Sequence, residues 1–210
     1  SLFVVRAQYL WGVFAVCCIA YMLPAGRVKD AAAAAFFLCF VWLSVPRTLC
    51  RMKAANGVAD IMSAAGYIKP NSVVLPLDFA PSGLDENGKV IADRNWLFGH
   101  SWQYMGLMKP MILLDNYEAN TGYFPLNWKD SVNPYHFLCS NGAVEAQPPH
   151  ASIDSYTHAA GVTVDYVLLW CYDEKWQSDE GFNKLWQEIR ASYHIVYRSV
   201  AGRTVLYARN

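Results

Sequence analysis

Residues 7–26, AQYLWGVFAVCCIAYMLPAG, carry no charged side chain, and a second uncharged run, AAAAAFFLCFVWLSVP, follows at 31–46. A bilayer core of about 30 Å requires roughly 20 apolar residues rising about 1.5 Å each. The first run meets that length, and the second meets it once Lys29 and Arg47 extend their charged heads to the interface. Trp11, Tyr21 and Trp42 are placed as interfacial anchors. Between the runs, PAGRVKD predicts a tight turn, because neither Pro24 nor Gly26 supports helix continuation. A helical hairpin inside a large soluble core is the alternative, and the length rule favours the membrane. Two runs with no small-residue cleavage site argue against a signal peptide. The expectation is a transmembrane helical hairpin over 1–48. Because SLFVVR starts without an initiator Met, the chain is expected to be a segment of a longer membrane protein.

An overall hydrophobic content of 54 % hides a division within the chain. Up to Pro46 the only charges are Arg6, Arg27, Lys29 and Asp30, whereas 49–210 has the mixture of an ordinary folded domain. Orientation is balanced: Arg27 and Lys29 flank one side of the second run, and Arg47, Arg51 and Lys53 the other. Of the six cysteines, Cys17, Cys18 and Cys39 sit in the apolar runs as small hydrophobes and Cys50 at the boundary. Cys139 and Cys171 belong to the polar region, where a disulfide and two buried thiols are both open.

From residue 49 the elements follow in order. RTLCRMKAANGVADIMSAAGYI has helical spacing and leads out of the membrane, with Gly66 as its end. NSVVLPLDF is a buried strand closed by Asp78, and a loop follows it. NWLFGHSWQYMGLM is a helix that Asn95 can cap and Pro110 stops, and MILLD is a second buried strand. From Asn116 to Gly161, Tyr, Asn, Trp, Pro and His recur without periodicity, the mark of a functional or surface-wrapping segment. GVTVDYVLLWCY is a strand covered on both faces. SDEGFNKLWQEIRASY is an amphipathic helix that Ser178 can cap, with Asp179 and Glu180 suited to its dipole. YHIVYRSV and RTVLYAR form a hairpin through Ala201 and Gly202. This order predicts a three-layer α/β domain over 49–210 with a mainly parallel sheet and a C-terminal antiparallel hairpin.

The apolar span, the lead-out helix, IKPNSVVLPL, LFGHSWQYMGL with its histidine, NTGYFPLNW, VDYVLLW and the terminal YRSVAGRTVLYAR together form a layout. It resembles the C-terminal part of bacterial polytopic membrane glycosyltransferases of the GT-C type. The resemblance covers about residues 50–210. It implies a multi-pass protein of the bacterial inner (cytoplasmic) membrane, with this domain extracytoplasmic, and a polyprenyl-phosphate-linked sugar and a glycan acceptor as partners besides the lipid bilayer. That family's catalytic base lies in an early loop, which would fall upstream of Ser1, so the resemblance implies an accessory domain and assigns no catalytic residue here.

Independent chemistry has no motif to stand on: GxGxxG, P-loop, HExxH, CxxC and GxSxG are all absent, and no cofactor is expected. His136, His150 and His158 lack recognised metal spacing. His100, amid Trp96, Trp102 and Tyr104, either hydrogen-bonds a sugar hydroxyl beside stacking rings or packs as a satisfied core histidine. Asp78 and Asp115 end predicted parallel strands, where open α/β sheets place ligands and where Asp also caps loops. Two carboxylates there suit acid–base work or a cation. The candidate substrate-binding residues are Asp78, His100, Tyr104, Asp115 and Trp128.

Seventeen basic residues balance seventeen acidic ones with no basic stripe, which disfavours nucleic acid. Eight tryptophans suit carbohydrate or membrane-interface contact, or a Trp-rich core. The reading that joins these features is an accessory domain that shapes or covers the acceptor site of a membrane glycosyltransferase. A non-enzymatic, membrane-anchored sensor or assembly domain is the alternative. A soluble α/β enzyme with a pocket of Asp78, His100 and Asp115 is a third, which the apolar runs oppose.

Overall fold

The computed structural model describes residues 18, 21–22, 26–85, 87–91, 98–139 and 149–210. The first predicted span, 7–26, lies almost wholly outside the described residues, as do Asn95 and Trp96. The chain divides after Arg51 into two compact units.

The second apolar run and the predicted lead-out segment are one helix, α1 (Arg27–Met62), and not two. It starts where Gly26, at φ 127°, offers its carbonyl to the N–H groups of Lys29 (2.9 Å) and Asp30 (3.2 Å). Pro46 stands inside it and has no N–H to donate to the preceding turn. Two residues on, the Thr48 hydroxyl donates to the Ser44 carbonyl at 2.9 Å, a local bond that helps a helix run through a proline. Phe36, Phe37, Leu38, Phe40, Trp42 and Leu43 are all exposed. A helix apolar all round seeks burial or lipid. This one, near the N-terminus, is long and apolar enough to cross a membrane.

The second unit, Met52–Asn210, is built on one five-stranded sheet. Its strands are β1 (Ser72–Asp78), β2 (Met111–Leu113), β3 (Tyr166–Trp170), β4 (Tyr193–Arg198) and β5 (Thr204–Arg209), in the order β2-β1-β3-β5-β4. β1 runs parallel to β2 and β3, whereas β3–β5 and β5–β4 are antiparallel. The sheet is therefore mixed, which corrects the mainly parallel expectation. The predicted hairpin forms, with Gly202 at φ 71°, but its second strand enters the sheet beside β3 and so adds an antiparallel pairing in the interior.

Pro76 shapes one edge. Hydrogen bonds from Leu114 N–H to the Val74 carbonyl (3.1 Å) and from Asp165 N–H to the Val73 carbonyl (2.9 Å) show that even-numbered residues of β1 face β2 and odd-numbered ones β3. The next rung toward β2 would need an N–H at Pro76, which has none. β2 therefore ends at Leu113, while β1 stays paired with β3 as far as Asp78 and Trp170.

Alternation along the strands feeds two cores. Val73, Leu75, Leu77, Val167, Leu169 and Val205 join one, against α3 (Ile153–Ala160) and α4 (Glu180–Ser192). The α4 stripe Phe182, Leu185, Trp186 and Ile189 is buried there, at about 1.5–3 kcal/mol per large apolar side chain. Val74, Leu168, Trp170 and Leu206 join the other, with Ile61, Ala64, Ala65 and Ile68. The α4 cap is Asp179 and not Ser178: its Oδ1 accepts the Phe182 N–H at 2.9 Å, and Ser178 donates its hydroxyl to the Lys175 carbonyl. The described parts of 116–161 carry regular structure that the lack of periodicity did not predict. They hold α2 (Pro134–Phe137) and α3, the latter capped by Ser152 and closed by Gly161 at φ 64°.

A further cluster ties the end of α1 to the terminal hairpin. Asp60 Oδ2 accepts the hydroxyls of Ser199 (3.0 Å) and Thr204 (2.9 Å), and Arg203 Nε lies 3.9 Å away. The Tyr197 hydroxyl donates to Ser63 Oγ at 2.7 Å, and the Tyr67 and Tyr197 rings stack at 4.4 Å. No sequence signal pointed to this cluster.

Candidate functional site

β1 and β2 separate after the Pro76 rung, and two carboxylates stand where they part. Asp78 is the last residue of β1, and Asp115 follows two residues after β2. The chain leaves β1 for β2 on one side and returns to β3 on the other, so Asp78 lies at the topological switch point, where open α/β sheets bind ligands.

Asp115 is 2 % exposed. Its Oδ2 accepts the indole N–H of Trp102 and lies 3.3 Å from His100 Nδ1, while its Oδ1 is buried with no hydrogen-bond partner among the described residues. Its carbonyl accepts the Tyr135 hydroxyl at 2.9 Å and the Tyr117 N–H at 2.8 Å, which fixes the turn that carries it. A buried carboxylate with one unsatisfied oxygen is costly, and such exceptions to full hydrogen bonding mark places with a reason to exist. His100 precedes a 3₁₀ turn, Ser101–Leu107. The predicted long aromatic helix is, within the described residues, only that turn; Gly106 and Pro110 leave little length beyond it. The His100 ring lies 4.9 Å from Tyr117 and presents an edge to Trp102 at 6.5 Å.

Asp78 Oδ1 accepts the Ala80 N–H at 2.9 Å. Burial pushes its carboxyl up to about 7, against the pull of the Ala80 N–H and of His100, and the charge of Asp115 adds to the rise. Asp78 thus titrates near neutral pH, close enough to His100 and Asp115 for both charges to act on it. Cys171 follows β3 on the neighbouring strand at φ 53°, and burial pushes its thiol up to about 12, which disfavours the thiolate near neutral pH. Cys139 and Cys171 form no disulfide: Cys139 belongs to the α3/α4 core and Cys171 packs against the other.

The other expected residues lie elsewhere. Tyr104 is 57 % exposed and makes none of these contacts. Trp128 lines a separate cleft of about 400 Å³ beside β2, with Gln103, Asn116 and Asn127. His136 and His150 line one cleft but have different partners: His150 Nε2 pairs with Asp179 at 2.8 Å, and His136 Nε2 lies 3.4 Å from Asn133 Nδ2. Among the described residues no group of His, Cys, Asp and Glu is arranged to hold a metal.

The site therefore joins a carboxylic acid that titrates near neutrality, an imidazole aligned by a buried carboxylate, and aromatic rings. Such a set can exchange protons with, and hydrogen-bond, a hydroxyl-bearing ligand. Comparison with protein-family models, curated proteins and solved structures found no match to the chain.

Proposed function

We propose that the chain is the membrane-anchored accessory part of a GT-C-like glycosyltransferase that uses a polyprenyl-phosphate-linked sugar. Its α/β unit shapes or covers the site of the glycan acceptor, and the catalytic base comes from outside these residues. The observation that carries this reading is the meeting of Asp78, His100 and Asp115 with Trp102 and Tyr117 at the sheet's switch point. Polar groups for hydroxyls beside aromatic faces are what a sugar site needs. The apolar α1 supports attachment to a bilayer. Placement in a multi-pass protein of the bacterial inner membrane, with the α/β unit extracytoplasmic, belongs to the same proposal. So does a three-layer arrangement, which the packed cores on both sheet faces support.

The test is glycan transfer in cells carrying the protein with the 52–210 unit deleted, or with His100→Ala or Asp115→Asn, at matched membrane levels. Loss of transfer is expected. Unchanged transfer overturns the reading, and if cross-linking then captures a protein partner, a sensor or assembly domain takes its place. Protease added to intact spheroplasts should remove a tag placed after Asn210; a protected tag puts the unit in the cytoplasm.

A further inference from the structure

We infer that the cleft along the free edge of β2 is a subsite for a neutral sugar, distinct from the Asp78–His100–Asp115 cluster. It is bounded by Met111–Leu113 on one side and by Gln103, Asn116, Asn127 and Trp128 around it. Its volume, about 400 Å³, falls in the range of roughly 300–1,000 Å³ usual for small-molecule clefts. Among the described residues none of its lining side chains is charged. A phosphate, carboxylate or ammonium ligand would find no counter-charge among them, so this lining suits an uncharged molecule.

What the lining offers is directional. The carboxamides of Gln103 and Asn127 have no hydrogen-bond partner among the described residues, and each sets a donor beside an acceptor, as a pair of vicinal hydroxyls requires. The Trp128 indole N–H is committed to the Asn116 carbonyl at 3.0 Å, which fixes the ring in the wall of the cleft, where an aromatic surface suits the C–H side of a pyranose. The register that turns Ile112 toward β1 points the backbone N–H and C=O groups of Met111 and Leu113 along the free edge. An extended peptide would use the same edge. However, β2 has three residues and only these two face outward, well short of the roughly 5–6 residues of an ordinary strand pairing. A compact polyol matches this surface better.

The role of the subsite in transfer rests on the glycosyltransferase reading, whereas binding itself does not, and the experiment separates them. The 210-residue chain is held in a detergent without a sugar headgroup. Maltose, cellobiose and N,N′-diacetylchitobiose are then titrated, with saturation-transfer NMR and tryptophan fluorescence as readouts. At least one disaccharide should bind in the millimolar range. Gln103→Ala with Asn127→Ala should weaken it by about ten-fold or more. Trp128→Ala should abolish it, and because Trp128 also packs on the core, the double amide variant is the deciding one. No binding by any of the three, or binding unchanged in the folded double variant, overturns the inference. Binding lost in that variant while glycan transfer continues keeps the subsite and removes its role in transfer.

Discussion

Asp78 makes a prediction whose size follows from its surroundings. Its carboxyl titrates at about 7 in the folded protein, against 3.8 when unburied, mainly because burial disfavours the charge. A shift of about 3 units at about 1.36 kcal/mol each corresponds to roughly 4 kcal/mol. The folded value is raised, so the folded state binds the extra proton. The contribution of Asp78 to stability is full below about pH 4, falls as pH rises, and levels off above about pH 7. Asp78→Asn removes the titration and keeps an Oδ1 to accept the Ala80 N–H. Between about pH 5 and about pH 8 the variant should gain about 3 kcal/mol relative to the wild type, ending as the more stable protein. Urea unfolding of the purified chain in detergent, followed by tryptophan fluorescence across that range, measures the difference. A wild-type-minus-variant gap that stays constant with pH would refute the assignment of the proton to Asp78.

Asp60→Ala leaves the hydroxyls of Ser199 and Thr204 without their acceptor and removes the carboxylate nearest the Arg203 guanidinium; a loss of about 2–4 kcal/mol is expected in the same urea assay, and a loss below about 0.5 kcal/mol would deny the cluster a structural role. A Cβ on Gly57 or on Gly83 would overlap the buried Phe98 ring, so Gly57→Ala should cost about 1–3 kcal/mol and Phe98→Leu in the same chain should recover part of it; simple additivity would mean that the two do not touch. Asp179→Ala removes the α4 cap and the partner of His150 together, for an expected loss of about 1 kcal/mol in thermal unfolding. Val41→Arg puts a charge midway along the apolar stretch of α1 at about 2.5–3.5 kcal/mol, and carbonate extraction should then release more of the protein from membranes, unless α1 lies outside the bilayer.

The elements with strong local signals were legible: the α4 stripe, the alternation that buries β1 and β3, and the Gly202 hairpin. The grouping of Asp78 with Asp115 followed from strand ends, because parallel strands that share an edge deliver their C-termini to one place. Strand order did not follow, since no residue of β5 records that its neighbour is β3. Helix α3 escaped because only Ile153 and Tyr156 are buried along its eight residues, too few to set a period, although Ser152 and Gly161 marked both ends. Gln103, Asn116 and Asn127 come from separate segments and form no motif, so only the folded chain reveals the cleft. Tyr104 stands outward, and an aromatic run does not say which ring does so.

The place of β5 between β3 and β4 bears on how the unit is made. Synthesis delivers Thr204–Arg209 after every strand it joins, and until then β3 presents an unpaired edge. Asp60 likewise waits 144 residues for the Thr204 hydroxyl. A nascent chain stopped short of this strand has neither its closing ladder nor its clasp on α1, so truncated products should go to proteolysis and not persist as partly working forms. Completion of this sheet is thus a single late event, and chaperones that shield an open β3 would matter most in the interval before it.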